Sequence, residues 1–518
     1  MKKVSVITAA QAAEMIPNNA SVALGGFVAG GIPEAIHEAV EQRFLETGAP
    51  HDLTLLWIAG CGTRNHTNAD HYAHEGMVKK VIGGHFNFLP EISQMVIDNK
   101  IQGYNVPQGA LAFMMRDSAA HKIGTLTPTG LGSFADPRNG GGRLNDITTE
   151  DIVKVIEIDG QEQLYYPRIG LDVALIRGTY ADELGNITFH KEMAPLDSTA
   201  MAMAVHNNGG KVIVQVEKVV KFGSLDPKMV KIPGIYVDAV VVCPAEDPRS
   251  AQIIGGHYDP AYSGNVQVSV AGLEPKPLDA KKIIGRRAAM ELSKNVVVNL
   301  GVGVPEYVSA VASEEGIEEE MTLTVECGPI GGVPGGGNRF GGTLNAHAYV
   351  DESYQFDFYD GGGLDVCYLG LGEADVEGNV NVSRLGTKLT GCGGFMSIAG
   401  NSKKVIFCGT FTNGLKIKTG DGKLTITEEG KKHKFVTRVG EITFAGKVAA
   451  KNQKDVIYVT ERCVFRLKED GLHLIEVAPG IDIKTQILDE MDFAPIVDEN
   501  VKLMDERIFR DEPMGLTL

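Results

Sequence analysis

A strand, a glycine-rich turn and a Pro-Glu helix start occur twice in this 518-residue chain, and that repetition leaves few folds open. In the first half Ser21–Leu24 runs into Gly25-Gly26-Phe27-Val28-Ala29-Gly30-Gly31 and then Pro33-Glu34. In the second, Val296–Leu300 runs into Gly301-Val302-Gly303-Val304 and Pro305-Glu306, with a turn four residues shorter. Glycine permits the tight reversal from strand into helix. Proline suits a first helical turn, because its missing N–H would be unpaired there. Ile36, Val40 and Phe44, four apart, give the helix after Pro33 one apolar face, and an Ala-rich helix is predicted near Thr8 to Met15.

Two further blocks repeat in the same order. Leu53–Ile58 aligns with Met321–Glu326, while Leu171-Asp172-Val173, Ala181-Asp182 and Gly185-Asn186 return as Leu364-Asp365-Val366, Ala374-Asp375 and Gly378-Asn379 at a constant offset of 193. Strands alternating with helices imply parallel sheets, and ordered repeats imply homologous halves. The sequence therefore predicts an α/β protein with two homologous open α/β domains, mainly parallel sheets and a ligand site between them. Pro244, Pro248, Pro260, Pro275 and Pro277 in a polar setting suit an extended connection. The halves are thus expected at 1–245 and 281–518, joined by 246–280.

Charge narrows the partners. With 49 Lys and Arg against 66 Asp and Glu, the formal charge is −17, which argues against nucleic acid, whose phosphates are met by basic residues. Lys2 and Lys3 open the chain, but Gln11, Glu14 and Pro17 interrupt any apolar leader core, and no run approaches the roughly 18 apolar residues of a membrane span. Cys61, Cys243, Cys327, Cys367, Cys392, Cys408 and Cys463 show no C-x-x-C spacing, so reduced thiols and a cytoplasmic location are expected, with no membrane partner.

Several places could carry chemistry. Glu326 stands where the first half has Ile58, after an apolar strand and before Cys327-Gly328-Pro329-Ile330-Gly331-Gly332. Exposed amides there could stabilise developing charge, and the glycines leave room for a bulky reactant. Asn299 to Pro305 has the strand–turn–helix form whose amides bind anions, or it simply joins strand to helix. Thr390-Gly391-Cys392-Gly393-Gly394-Phe395 offers a run of unobstructed amides, and Val106-Pro107-Gln108-Gly109 a side-chain amide on a loop. No motif couples Cys327 or Cys392 to a histidine base, so both read as buried small residues. His66, His71, His74 and Glu75 near Cys61 fit no standard metal spacing and read as a solvated loop or helix end, with no metal expected.

Taken together, Glu326-Cys327-Gly328-Pro329-Ile330-Gly331-Gly332, Asn299 to Pro305, Val106 to Gly109 and Gly391-Cys392-Gly393-Gly394 resemble the family I CoA-transferases over essentially the whole chain. The Glu-Cys-Gly-Pro-Ile-Gly-Gly form is nearest the propionate and lactate type; 3-oxoacid enzymes tend to carry Ser-Glu-Asn-Gly. His66 to Glu75 falls in a segment this subgroup shares, which weighs further against a metal. The resemblance implies Glu326 as the nucleophile, forming an acyl-glutamyl anhydride and then a glutamyl-CoA thioester in a ping-pong exchange of CoA between short-chain acyl-CoA and carboxylates such as propionate, acetate or lactate. Gln108 and the amides near Gly394 are implied as oxyanion donors. Gly301, Val302, Gly303 and Val304 are implied to line the CoA path with Gly391 and Gly393, and Asn299 to orient Glu326 beside the coenzyme. It implies no cofactor beyond substrate coenzyme A and a homo-oligomer, either a dimer or a homotetramer. A 3-oxoacid CoA-transferase, an acyl-CoA hydrolase or a non-catalytic sensor on the same fold stand as alternatives. Lys388, Lys403 and Lys404 are weak candidates for the CoA phosphates. Gly335 to Arg339 and Asp357 to Gly363 receive no role.

Overall fold

The computed structural model describes residues 3–269 and 275–518. Residues 270–274 of the expected connection lie outside the described residues. Among the described residues no helix is long and apolar enough to cross a membrane.

The first half is built on an all-parallel sheet of eight strands, in the order Ser5–Ile7, Ala239–Val242, Lys211–Val216, Val173–Arg177, Ser21–Leu24, Leu53–Trp57, Val78–Gly83 and Gln102–Asn105. The second half holds a ten-stranded mixed sheet. Its parallel centre runs Met321–Thr324, Val296–Leu300, Val366–Gly370, Lys404–Cys408 and Asp455–Val459.

The repeat survives as topology. Ser21–Leu24 lies between Leu53–Trp57 and Val173–Arg177 just as Val296–Leu300 lies between Met321–Thr324 and Val366–Gly370. The strands Val173–Arg177, Tyr180–Asp182 and Ile187–Thr188 recur as Val366–Gly370, Glu373–Asp375 and Val380–Asn381, each 193 residues on. Asp182 and Asp375 explain the Asp-to-Gly-Asn spacing. Each accepts backbone N–H groups across the turn that follows, Asp182 from Asn186 at 3.0 Å and Asp375 from Asn379 at 3.0 Å.

Local signals are realised as helices. Thr8 and Gln11 form a reciprocal capping box at the start of Ala9–Glu14. Glu34–Thr47 follows Pro33, buries Ile36 and Val40, and stops at Gly48 in the left-handed region, φ 71°. Parts of the connection between the halves are packed against them. Gly30 bridges to Ile253, Tyr262 is buried, and Asp279 caps the helix Ala280–Ala289 that opens the second half. Phe27, Val28, Met193 and Leu196 of the first half share one buried cluster with Val325 and Cys327 of the second, on either side of Glu326.

Candidate active site

The strand Val296–Leu300 delivers Asn299 and the strand Met321–Thr324 delivers Glu326 to the same carboxyl-terminal edge of the second sheet, where ligands of open α/β sheets collect. Asn299 is buried, and its Nδ2 donates to the Thr324 carbonyl at 3.2 Å. Glu326 is half-buried. Desolvation nevertheless pushes its carboxyl up to about 7, while the Asn299 amide beside it pulls in the opposite direction. Asn299 therefore lies buried beneath Glu326.

The first half supplies the opposite wall. Gln108 opens the helix Gln108–Ala119, and its backbone N–H donates to the Gly393 carbonyl at 3.0 Å. A side chain at Gly393 would come within 3.5 Å of Gln108 Oε1, and one at Gly394 within 3.6 Å of Glu326 Cγ. The Gly393-Gly394 turn thus stands between Gln108 and Glu326. Gly391 and Gly393 adopt φ of 80° and 51°, which glycine accepts without strain.

The run of unobstructed amides expected over Gly391 to Gly393 is not present. Gly391 N–H donates to Ser383 O at 2.9 Å, Cys392 N–H to Asn105 Oδ1 at 3.0 Å and Gly393 N–H to Gly84 O at 2.8 Å. The bonds to Asn105 and Gly84 fasten the loop to the first half, and the bond to Ser383 holds it to its own. Gly394, at the amino end of Phe395–Asn401, is the residue of this run beside Glu326.

Gln108 itself is held by a residue the sequence did not single out. Its Nε2 donates to Glu352 Oε1 at 2.5 Å. Glu352 is buried at the first turn of Glu352–Asp360, and Asp197 of the first half lies against it. Asp197 Oδ1 accepts the Ser353 N–H at 3.1 Å, whereas its Oδ2 is buried with no donor. Burial pushes both acids upward, with Asp351 adding to the rise of Asp197 and Asp197 to that of Glu352, an arrangement that favours a proton shared between the two. Nothing in the local pattern around Asp351-Glu352 distinguishes it from a solvated helix start. His85 was also missed. It follows Val78–Gly83 and packs against Gly391 and Gly393, and burial first, with Arg64 and Lys388 adding, lowers its imidazole to about 4, leaving it neutral.

Farther along the second half, a cleft of about 670 Å³ is lined by Val302, Val304, Lys281, Gly409 and Lys434, among others. Glu326 does not line it. The Gly301 to Val304 turn links the cleft to the strand carrying Asn299. In that turn Gly301 N–H donates to Tyr368 O at 2.8 Å and Gly303 N–H to Glu306 Oε1 at 3.0 Å. Lys403 pairs with Asp365 at 2.7 Å, and Lys404 with Glu291 and Asp455, so neither is a ready phosphate ligand. Cys327 and Cys392 are buried, and desolvation raises both thiols, as expected of packing residues. Asp357 pairs with Arg116, and Asp360 accepts from Thr129 Oγ1 at 3.1 Å, so the acidic-aromatic segment clamps the halves. Gly335 to Arg339 packs its Arg339 guanidinium over the Tyr262 ring of the connection, 5.5 Å from the centroid.

Of the histidine segment, only part matches the expected solvated loop. His71 is buried in the turn Asn68–Tyr72, and His66, His71 and His74 converge on Glu41, with Glu75 left exposed.

Comparison with known proteins agrees with this geometry. The coenzyme A transferase family model matches residues 6–243. The chain is 46% identical to the acetate CoA-transferase YdiF of Escherichia coli O157:H7 over 100% of this chain and 97% of that protein. It is 43% identical to the caffeate CoA-transferase of Acetobacterium woodii over 98% of each. The crystal structure of the E. coli O157:H7 acyl-CoA transferase YdiF in a thioester complex with CoA superposes with a TM-score of 0.94 at 44% identity, covering 100% of this chain and 98% of that one. The chain belongs to the coenzyme A transferases, in the family I group that its motifs resemble.

Proposed function

We propose that this CoA-transferase exchanges CoA between short-chain acyl-CoA and carboxylates such as acetate, propionate and lactate, through Glu326. The observation that carries the reading is the Glu326 carboxyl, raised to about 7 by desolvation at the joint between the halves, with Gln108 and the Gly393-Gly394 turn against it. A carboxylate freed from water is a better nucleophile, and a dry site protects the acyl intermediates from hydrolysis.

In the first step a Glu326 oxygen attacks the thioester carbonyl carbon. The oxyanion is met by the Gln108 amide and the Gly394 end of the helix, the C–S bond breaks, and an acyl-glutamyl anhydride and CoA thiolate result. The thiolate then attacks the Glu326 carbonyl carbon and expels the acyl group as a free carboxylate, leaving a glutamyl-CoA thioester. An incoming carboxylate attacks that carbonyl, re-forming an anhydride and thiolate, and the thiolate takes the new acyl group. Glu326 returns as a carboxylate, and no proton, metal or redox equivalent is consumed. The thioester complex of the E. coli relative and the cleft bordered by Val302 and Val304 support this path. The assembly is proposed to be a homo-oligomer.

Intact-protein mass after incubation with propionyl-CoA, followed by borohydride reduction and peptide mapping, tests the proposal. A CoA-sized adduct reduced at Glu326 is the expected result. An unmodified protein that still binds CoA overturns it in favour of a non-covalent enzyme or a sensor.

A further inference from the structure

Outside the transfer site, three elements of the first half close around one carboxylate. Glu41 lies on the helix Glu34–Thr47, facing the segment that carries His66, His71 and His74. His66 Nε2 lies 3.0 Å and His74 Nε2 2.6 Å from Glu41 Oε1, and His71 Nδ1 lies 2.7 Å from Oε2. The opposite ring nitrogens of two of these imidazoles are held elsewhere. His71 Nε2 meets Glu34 Oε1 at 3.0 Å, and His66 Nδ1 meets Glu91 Oε1, on the helix Pro90–Ile97, at 2.9 Å.

A metal-ligating histidine almost always gives its other N–H to a carboxylate or carbonyl, which fixes the tautomer and aims the remaining lone pair at the metal. Here two carboxylate–imidazole pairs aim their remaining nitrogens at a third carboxylate. The ligand atoms of Glu41, His66 and His71 all lie within 4.8 Å of one another. Bonds of about 2.0–2.1 Å to a tetrahedral ion place ligand atoms about 3.3 Å apart, so only small side-chain shifts are needed. The framework is firm: His71 and Glu34 are each 4% exposed, and Asp70 accepts the N–H groups of Glu91 and Ile92.

We propose that Glu41, His66 and His71 bind one divalent transition-metal ion of the zinc class, with water in the fourth position and His74 orienting Glu41. Imidazole and carboxylate together suit such ions better than calcium or magnesium, which favour all-oxygen shells. The site reaches the catalytic joint through the backbone. Asn68 N–H donates to Glu34 Oε2 at 3.1 Å, and Asn68 Nδ2 to Gly25 O at 3.1 Å, where the glycine turn begins that packs beside Cys327. The ion therefore acts as a staple for that turn and is separate from the transfer chemistry. Sequence spacing alone was blind to it, because Glu41 lies 25 residues before His66.

The test is Zn2+ retention by tag-free, chelator-stripped full-length protein, given excess Zn2+ at pH 7.5, desalted and assayed for metal, with the visible absorption of a Co2+-loaded sample reporting geometry. One ion per chain and a tetrahedral Co2+ spectrum are expected, and Glu34→Gln should weaken Zn2+ affinity by about 10–100-fold through the lost outer contact. His71 is buried and its variants risk misfolding, so His66→Asn, on a partly exposed side chain, and Glu41→Gln carry the decision. Loss of the ion from both, with melting of the stripped proteins unchanged, supports the site. No retained metal in the parent, or equal retention in both variants, overturns it as adventitious binding.

Discussion

The two halves end the same strand in opposite chemistry. Ser21 pairs with Thr54 in the first sheet and Val297 with Thr322 in the second, so the registers place Ile58 opposite Glu326 and Ala23 opposite Asn299. Ile58 is 4% exposed and Ala23 wholly buried, a plain packing edge. In the second half the same edge carries a carboxylate and the amide beneath it. The duplicated scaffold provides the strand end and glycine-spaced room, and two polar replacements set one copy apart as the candidate site. The Pro-Glu helix starts diverge likewise. Glu306 caps its own turn at Gly303, whereas Glu34 reaches across to His71 and Asn68.

The sharpest way to break this comparison is to return the second half toward the first. Glu326→Ala should lower kcat by at least about 10⁴-fold, as for loss of other covalent nucleophiles, with melting retained; steady-state transfer from propionyl-CoA to acetate checks it, and an active variant would place the nucleophile elsewhere. Next, Gln108→Ala removes the first half's contribution and should cost about 10²–10³ in kcat, the usual effect of deleting one oxyanion donor. Glu352 separates positioning from charge. Glu352→Gln, which mimics the protonated acid, should keep activity within about tenfold, while Glu352→Ala falls toward the Gln108→Ala level. The Gln variant should also hold its activity to higher pH than the parent, because it cannot lose the shared proton.

A smaller effect concerns the Asn299 amide under Glu326. Transfer requires ionised Glu326, so kcat/KM should rise with pH through about 7 and level off above it. Asn299→Ala, which restores the first-half residue, removes the group that lowers this carboxyl and should move the rising limb to higher pH. The smallest is thermodynamic. A carboxyl whose folded value lies near 7, against 4.5 ordinarily, favours the folded state when protonated and penalises it once ionised. Stability from this group is therefore lost as pH rises from about 4.5 through 7. Glu326→Gln should stabilise by about 0.5–2 kcal/mol at pH 8 in urea unfolding, with the gain shrinking at pH 5.

What could be read from the chain was whatever is written locally. The Pro33 and Pro305 helix starts, the strand Ser21–Leu24 and the 193-residue repeat were legible because periodicity, glycine turns and duplicated order need only neighbours along the chain. Glu326 stood out because a carboxylate broke an apolar repeat. The amides of Gly391 to Gly393 were misjudged as open, since their partners Ser383, Asn105 and Gly84 are supplied by the folded halves. Glu352 was invisible, because its meaning comes from Gln108, 244 residues away in sequence, and from Asp197.

The sequence by itself determined the α/β class, the duplication and the carboxylate, Glu326, that breaks the repeated apolar strand. Only the tertiary structure decided the burial that raises the Glu326, Asp197 and Glu352 carboxyls, the anchoring of the glycine loop and the gathering of three histidines on Glu41. Those properties depend on desolvation and on which distant groups share one small volume, and neither is encoded at the short separations a sequence pattern can report.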